Sequence, residues 1–182
     1  MLQEFKEDYK RMTGSNWGGY KARIHLLVNY ELRYLLFLRK RQQSQNIIQK
    51  KWYTLKAIRW NKKYGLDIQT DNIGKGLYLG HAHNINVNPK AIIGNNCNIA
   101  KGVTIGRENR GTREGAPIIG NFVWIGTNAV IVGKIKVGND VLIAPNSYVN
   151  CDIPDHSIVI GNPCKIISNE NATRDYINHI VL

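Results

Sequence analysis

The residues best placed to do chemistry are His81 and His83, in Leu79-Gly80-His81-Ala82-His83-Asn84. Imidazole, with an ordinary pKa of about 6.5, accepts and returns a proton near neutral pH. Two histidines two positions apart could also hold a metal, but a hydratase-type zinc site takes three. Only these two of the chain's 5 histidines are close in sequence, so no metal is expected. Proton transfer is the expected chemistry. His81 is the first candidate, with His83 sharing the site or acting in its place. His25, His156 and His179 read as structural or solvated. The 3 cysteines, Cys97, Cys151 and Cys164, share no CxxC spacing, which argues against a disulfide scaffold and a cysteine zinc site. A second chemically dense stretch is RENRGTREGAP, residues 107–117, with Arg107, Arg110 and Arg113.

These residues interrupt a repeat. An aliphatic residue returns every six positions at Ile119, Ile125, Ile131, Val137, Ile143 and Val149, and earlier at Val87, Ile93, Ile99 and Ile105. The next position is usually small: Gly80, Gly94, Ala100, Gly106, Gly120, Gly126, Gly138, Ala144. Six is not a helical period, and recurrent glycine costs a helix about 0.5–1 kcal/mol each. Three hexads closing one triangular coil of short strands, with coils stacked about 4.8 Å apart, predict a mainly β fold, a parallel β-helix. Asn and Asp at the corners suit left-handed backbone. The phase breaks twice. Leu79 to Val87 is eight residues, two too many, and Ile105 to Ile119 is fourteen. Insertions in a solenoid become loops, and loops carry binding. The first break holds His81 and His83; the second must extrude 107–117.

The chain has 182 residues, of which 43% are hydrophobic and 21% charged, as in a folded protein. Its net charge of +12 is uneven. Residues 1–65 carry 15 Lys and Arg against 4 Asp and Glu, and the remainder 10 against 9. The expected organisation is a basic helical segment over 1–64, the β-helix over 65–154, and a C-terminal extension with a helix over 155–182. Tyr20–Arg41 and Ile47–Lys63 read as the N-terminal helices. They either cap the first coil or make a peripheral contact with anionic membrane. No nucleic-acid motif accompanies the charge. No apolar run approaches a membrane span, and the first ten residues lack a signal-peptide h-region, so a cytoplasmic protein is expected, held at the membrane's inner face if the basic segment binds lipid.

The hexads, the Gly-His pair in LYLGHAHNINV, the stretch IAKGVTIG and the ending IPDHSIVIGNPCKII resemble the hexapeptide-repeat acyltransferases, in particular the serine O-acetyltransferase branch. The resemblance covers about residues 65–168. It implies a left-handed β-helix, a homotrimer, and acetyl-CoA bound in a groove between coils. His81 matches the family's base, which deprotonates an acceptor hydroxyl. Asp67, in Asp67-Ile68-Gln69-Thr70, matches its orienting aspartate, one residue nearer the histidine than usual. The matched cofactor positions are Thr104, Gly106, Gly126, Thr127, Ala144 and Pro145, with Lys165 for a CoA phosphate. His83, Asn84 and Arg113 are expected on the acceptor side.

Two departures bear on the acceptor. Serine-specific members carry an aspartate where this chain has Gly80, and an Arg-His pair where it has Gly115-Ala116. Each charged hydrogen bond is worth about 1.5–3 kcal/mol. The sequence therefore favours a sugar hydroxyl of a surface polysaccharide or its lipid-linked precursor, with serine as the alternative. A non-catalytic scaffold would have no use for the histidine insert and the long loop.

Overall fold

The computed structural model describes residues 2–182. Four helices come first: α1 (Gln3–Thr13), α2 (Gly19–Val28), α3 (Tyr30–Gln43) and α4 (Ile47–Tyr64). The single helix expected over Tyr20–Arg41 is two, broken at Asn29. That residue is extended (φ −95°, ψ 114°), and its side chain accepts the Leu32 N–H as the N-cap of α3. α1 is an addition to the sequence reading. Gly65, left-handed at φ 66°, closes α4 and turns the chain into the first strand.

Fourteen short strands follow. Sheet A stacks β1 (Leu66–Ile68), β3 (Ile85–Val87), β6 (Thr104–Gly106), β9 (Val130–Val132) and β12 (Tyr148–Val149), all parallel. Sheet B stacks β4 (Ile92–Ile93), β7 (Ile118–Ile119) and β10 (Lys136–Val137). Sheet C stacks β2 (Tyr78–Gly80), β5 (Asn98–Ala100), β8 (Val123–Ile125), β11 (Val141–Ile143) and β13 (Ser157–Ile160). β14 (Lys165–Ser168) ends sheet C antiparallel to β13. The hexad aliphatics point inward and are sealed: Ile99, Ile105, Ile125, Ile131, Ile143 and Val149 are all 0% exposed. Each such burial stabilises by about 1.5–3 kcal/mol, which makes the column of aliphatics the main source of cohesion.

The corner from B to C shows why the residue after the aliphatic is glycine. A Cβ on Gly94 would stand 2.4 Å from the Gly120 carbonyl oxygen of the next coil. Beside it runs a ladder in which each carboxamide or carboxylate reaches one coil back. Asn121 accepts the Asn95 N–H, Asn139 accepts the Asn121 N–H, and Asp155 accepts the Asn139 N–H, at 2.7–2.8 Å.

The helices cap the first coil through buried charge. Asp8 of α1 takes both forks of Arg39 of α3 (2.7 and 2.8 Å), and Arg39 also donates to the carbonyls of Ile73 and Gly74. Asp8 accepts the Leu77 N–H as well. Such a pair gives little net stability but fixes orientation, since losing one partner strands a buried charge.

The expected C-terminal helix is absent; residues 169–182 form turns. Asp140 captures the amides of Ala172 and Thr173 and the Thr173 hydroxyl. Asp175 and His179 are left-handed. Asn, Asp and Thr, dense in SNENATRD, satisfy their neighbours' backbone and compete with helix.

Candidate active site

The site is best described by corners. Sheet C passes to sheet A through residues 81–84, 101–103, 126–129 and 144–147 in successive coils, and the turn 161–164, which joins β13 to β14, stacks beyond the last of them. One backbone ladder joins them. Gly102 donates to the His83 carbonyl, Asn128 to that of Lys101, Asn146 to that of Thr127, and Tyr148 to that of Gly161. The regular corner has one left-handed residue: Gly65, Asn84, Gly102, Asn128 and Asn146 form that column, with φ between 52° and 74°. Asn84, expected near the acceptor, is therefore a corner residue. Its N–H donates to the Tyr64 carbonyl and its Oδ1 fills the space where a Cβ on Gly65 would stand.

The phase break is His81-Ala82, inserted before this corner. Ala82 packs into the core at 0% exposure, and its carbonyl accepts the Tyr30 hydroxyl at 3.3 Å. Anchored there, the insert throws His81 outward at φ 50°, exposed and without a hydrogen-bond partner among the described residues. A non-glycine residue in that region costs about 1–2 kcal/mol and is a pointer to function. His83 is engaged differently. Its ring centroid lies 5.5 Å from both Tyr30 and Tyr64, which stack on each other at 4.4 Å.

Asp67 is in β1, on the outer face of sheet A, in register with Asn86. Its carboxylate accepts the Gln69 side-chain N–H at 2.9 Å, and no hydrogen bond joins it to His81 or His83. The structure brings the two histidines to one corner but does not assemble the His81–Asp67 pair in a single chain.

Small residues at the ends of the sheet C strands or just after them form the edge of that corner: Gly80, Ala100, Gly126 and Ala144. A Cβ on Gly126 would meet the Pro145 nitrogen at 2.7 Å, so glycine is demanded by packing. At Gly80 the nearest atom would be Tyr78 Cε1 at 3.5 Å, so that position has room. Thr127 and Pro145 lie in the same corner column as His83, Thr104 and Gly106 follow in β6, and Lys165 is exposed in β14. From the His81 corner to the turn Gly161–Cys164 is four coil steps, roughly 19 Å at about 4.8 Å each.

Loop 107–117 leaves the coil after β6, at the corner from A to B. It is ordered. Glu108 and Gly115 exchange both backbone hydrogen bonds at 3.0 Å, Arg107 pairs with Glu114 at 2.8 Å, and the Arg113 carbonyl accepts the Lys134 N–H. Gly115 has φ 139°, and a Cβ there would meet Lys134 Cβ at 2.9 Å. A whole strand of sheet A separates this loop from His81. Arg113, expected beside the acceptor, is exposed on the far side of that strand within the chain.

Two of the three thiols are shifted away from the thiolate form. Burial pushes the Cys97 thiol up to about 12. Cys151 is raised too, by burial and by Cys164, whose sulfur is 3.9 Å away. Among the described residues no group of three metal-ligating side chains occurs, and no helix is long and apolar enough to cross a membrane.

The family model for the bacterial transferase hexapeptide (six repeats) matches residues 116–151. Serine acetyltransferase 4 of Arabidopsis thaliana is 32% identical over 136 residues, 68% of this chain and 38% of that protein. The chain thus spans about two fifths of the length of this plant relative. Among solved structures, serine acetyltransferase of Neisseria gonorrhoeae in complex with serine superposes with a TM-score of 0.76 at 28% identity, covering 91% of this chain and 68% of that one. A serine acetyltransferase in complex with CoA gives 0.67 at 28% identity, covering 78% and 59%. A coil built of hexads, a histidine insert at its corner and these likenesses together make the chain a member of the hexapeptide-repeat transferase family, on its serine O-acetyltransferase-like branch.

Proposed function

We propose that the protein is an acetyl-CoA-dependent O-acetyltransferase in which His81 is the general base and L-serine the acceptor. The observation that carries the reading is the outward, left-handed His81, in a two-residue insert on a hexapeptide coil. The imidazole takes the hydroxyl proton as the oxygen attacks the thioester carbonyl. The C–O bond forms, the C–S bond breaks, and the proton passes to the departing CoA sulfur. A thioester is already activated, so no enzyme nucleophile is required. Asp67 joins His81 only by leaving Gln69, and would then fix the tautomer and stabilise the imidazolium.

Acetyl-CoA, the second substrate, suits the C-to-A edge. Small residues leave backbone accessible beside the histidine insert, Thr104, Gly106, Thr127, Ala144 and Pro145 line the path, and Lys165 stands at the far end for a phosphate. A homotrimer belongs to the proposal. Within one chain loop 107–117 and His81 occupy different corners, so a second copy must supply the loop, with Arg113, to the His81 corner.

The polysaccharide acceptor expected from the sequence gives way to serine because the relatives and structural neighbours are serine acetyltransferases. A specific observation keeps the sugar hydroxyl as second reading. Gly115 is held in a conformation and a space that exclude the arginine of serine-specific members. Acetyl-CoA turnover on L-serine, simple sugars and cell-envelope glycans decides between them. Serine turnover with kcat/KM above about 10⁴ M⁻¹s⁻¹ is expected; saccharide turnover with none on serine would reverse the order.

A further inference from the structure

Away from the catalytic corner, the helical segment holds a cleft of about 390 Å³ between α3 and α4. Four cations line it: Arg33, Lys56, Arg59 and Lys63. Among the described residues none of them makes an ion pair. Arg33 Nε is buried and has no hydrogen-bond partner among these residues, although its guanidinium lies 5.7 Å over the Trp60 ring. A buried donor of this kind is costly unless something accepts from it. The cleft also has an aromatic wall, Trp60 stacked on Tyr64 at 5.3 Å. Lys56 Nζ sits 5.1 Å over the Phe37 ring and Lys63 Nζ 5.0 Å over Tyr64, so both ammoniums are held at the rim.

Four cations exceed what a single carboxylate can neutralise. Two guanidinium forks match phosphate oxygens, and the ring faces offer a surface to an apolar or planar body. We propose that this cleft binds a phosphate or diphosphate group carried on such a body. The site is separate from the acetyl-transfer reading and does not depend on it, though the two share a wall, since Tyr64 also touches His83. Arg33 is the central ligand, donating through the Nε that now lacks an acceptor. Arg59 and Lys63, both exposed, close over the anion from α4.

The test is calorimetric titration of the full chain with inorganic pyrophosphate at near-physiological salt. Saturable binding is expected, weakened by at least about tenfold in R33Q/R59Q, the loss of one charged hydrogen bond or more. K51Q/K62Q removes the same amount of charge from α4, outside the cleft, and should leave binding nearly unchanged. Should R33Q/R59Q fail to fold, K56Q/K63Q serves the same comparison. No saturable binding to the wild type, or equal losses in cleft and control variants, overturns the proposal. Phosphatidylcholine vesicles with and without phosphatidic acid identify the source of the phosphate. Vesicle binding that pyrophosphate displaces and R33Q/R59Q lacks assigns a lipid headgroup; pyrophosphate binding without it assigns a soluble phosphate compound.

Discussion

The two histidines differ in what surrounds them more than in where they sit. His81 is exposed and unpartnered in left-handed backbone, while His83 leans on Tyr30 and Tyr64 and thereby ties the coil to α3 and α4. His83→Ala should accordingly cost stability first, by about 1 kcal/mol for the lost ring contacts, seen as a drop in Tm. Acetyl transfer should fall by much less than on removing His81. A larger kinetic loss from His83→Ala than from His81→Ala would exchange their roles. The sequence alone could place both histidines in an insert, because the hexad phase counts residues. It could not separate their environments, because Tyr30 and Tyr64 lie far away in the chain and carry no periodic signal. For the same reason it assigned Asn84 to the acceptor, where the fold uses it to turn a corner.

At the scale of elements, the hexads were legible because each one repeats the same three demands: an inward aliphatic, a small neighbour, and a corner that tolerates positive φ. α1 was not, because what docks it is a long-range buried pair, Asp8 with Arg39, invisible to any local pattern. The C-terminal turns were missed likewise, since Asp140 organises them from more than thirty residues away. That clasp has a pH signature. Burial pushes the Asp140 carboxyl up, but hydrogen bonds from Thr173, His156 and the amides of Thr173 and Ala172 outweigh it and hold it below its ordinary 3.8. Its stabilisation is therefore present above that value and lost as pH falls through the lower folded pKa. The hydrogen bond to Asp140 raises His156 above its ordinary 6.5. That contribution is complete below 6.5 and lost as pH rises through the folded value. Amide protection over Ala172–Val181 should be greatest between these two limits and collapse in acid. Asp140→Asn should weaken it at neutral pH and flatten its acid dependence. Protection independent of pH and of Asp140 would show that the segment is held by Tyr176 on Trp124 and Val181 on Asn96 instead.

The three stacked sheets enclose a triangular coil with one face already covered. α1 and the C-terminal turns lie over sheet C, where Arg11 bonds Asn98 and Tyr176 packs on Trp124. Sheet B keeps Ile92 and Ile118 outward, each 42% exposed and adjacent in register. An apolar strip beside the corner that extrudes loop 107–117 is where the proposed neighbouring copy would pack. Multi-angle light scattering should give three times the 20.7 kDa chain mass. A monomer at micromolar concentration would leave loop and histidine at separate corners and remove the basis for a shared site.

The central claim, that His81 moves the proton in an acetyl transfer, is tested most directly by CoA release from acetyl-CoA with L-serine, measured for the wild type and for His81→Ala beside acetyl-CoA affinity. The account predicts turnover by the wild type and a loss of at least about 100-fold in kcat for the variant, the usual scale for a general base, with affinity little changed. A His81→Ala enzyme that turns over at close to the wild-type rate would contradict it.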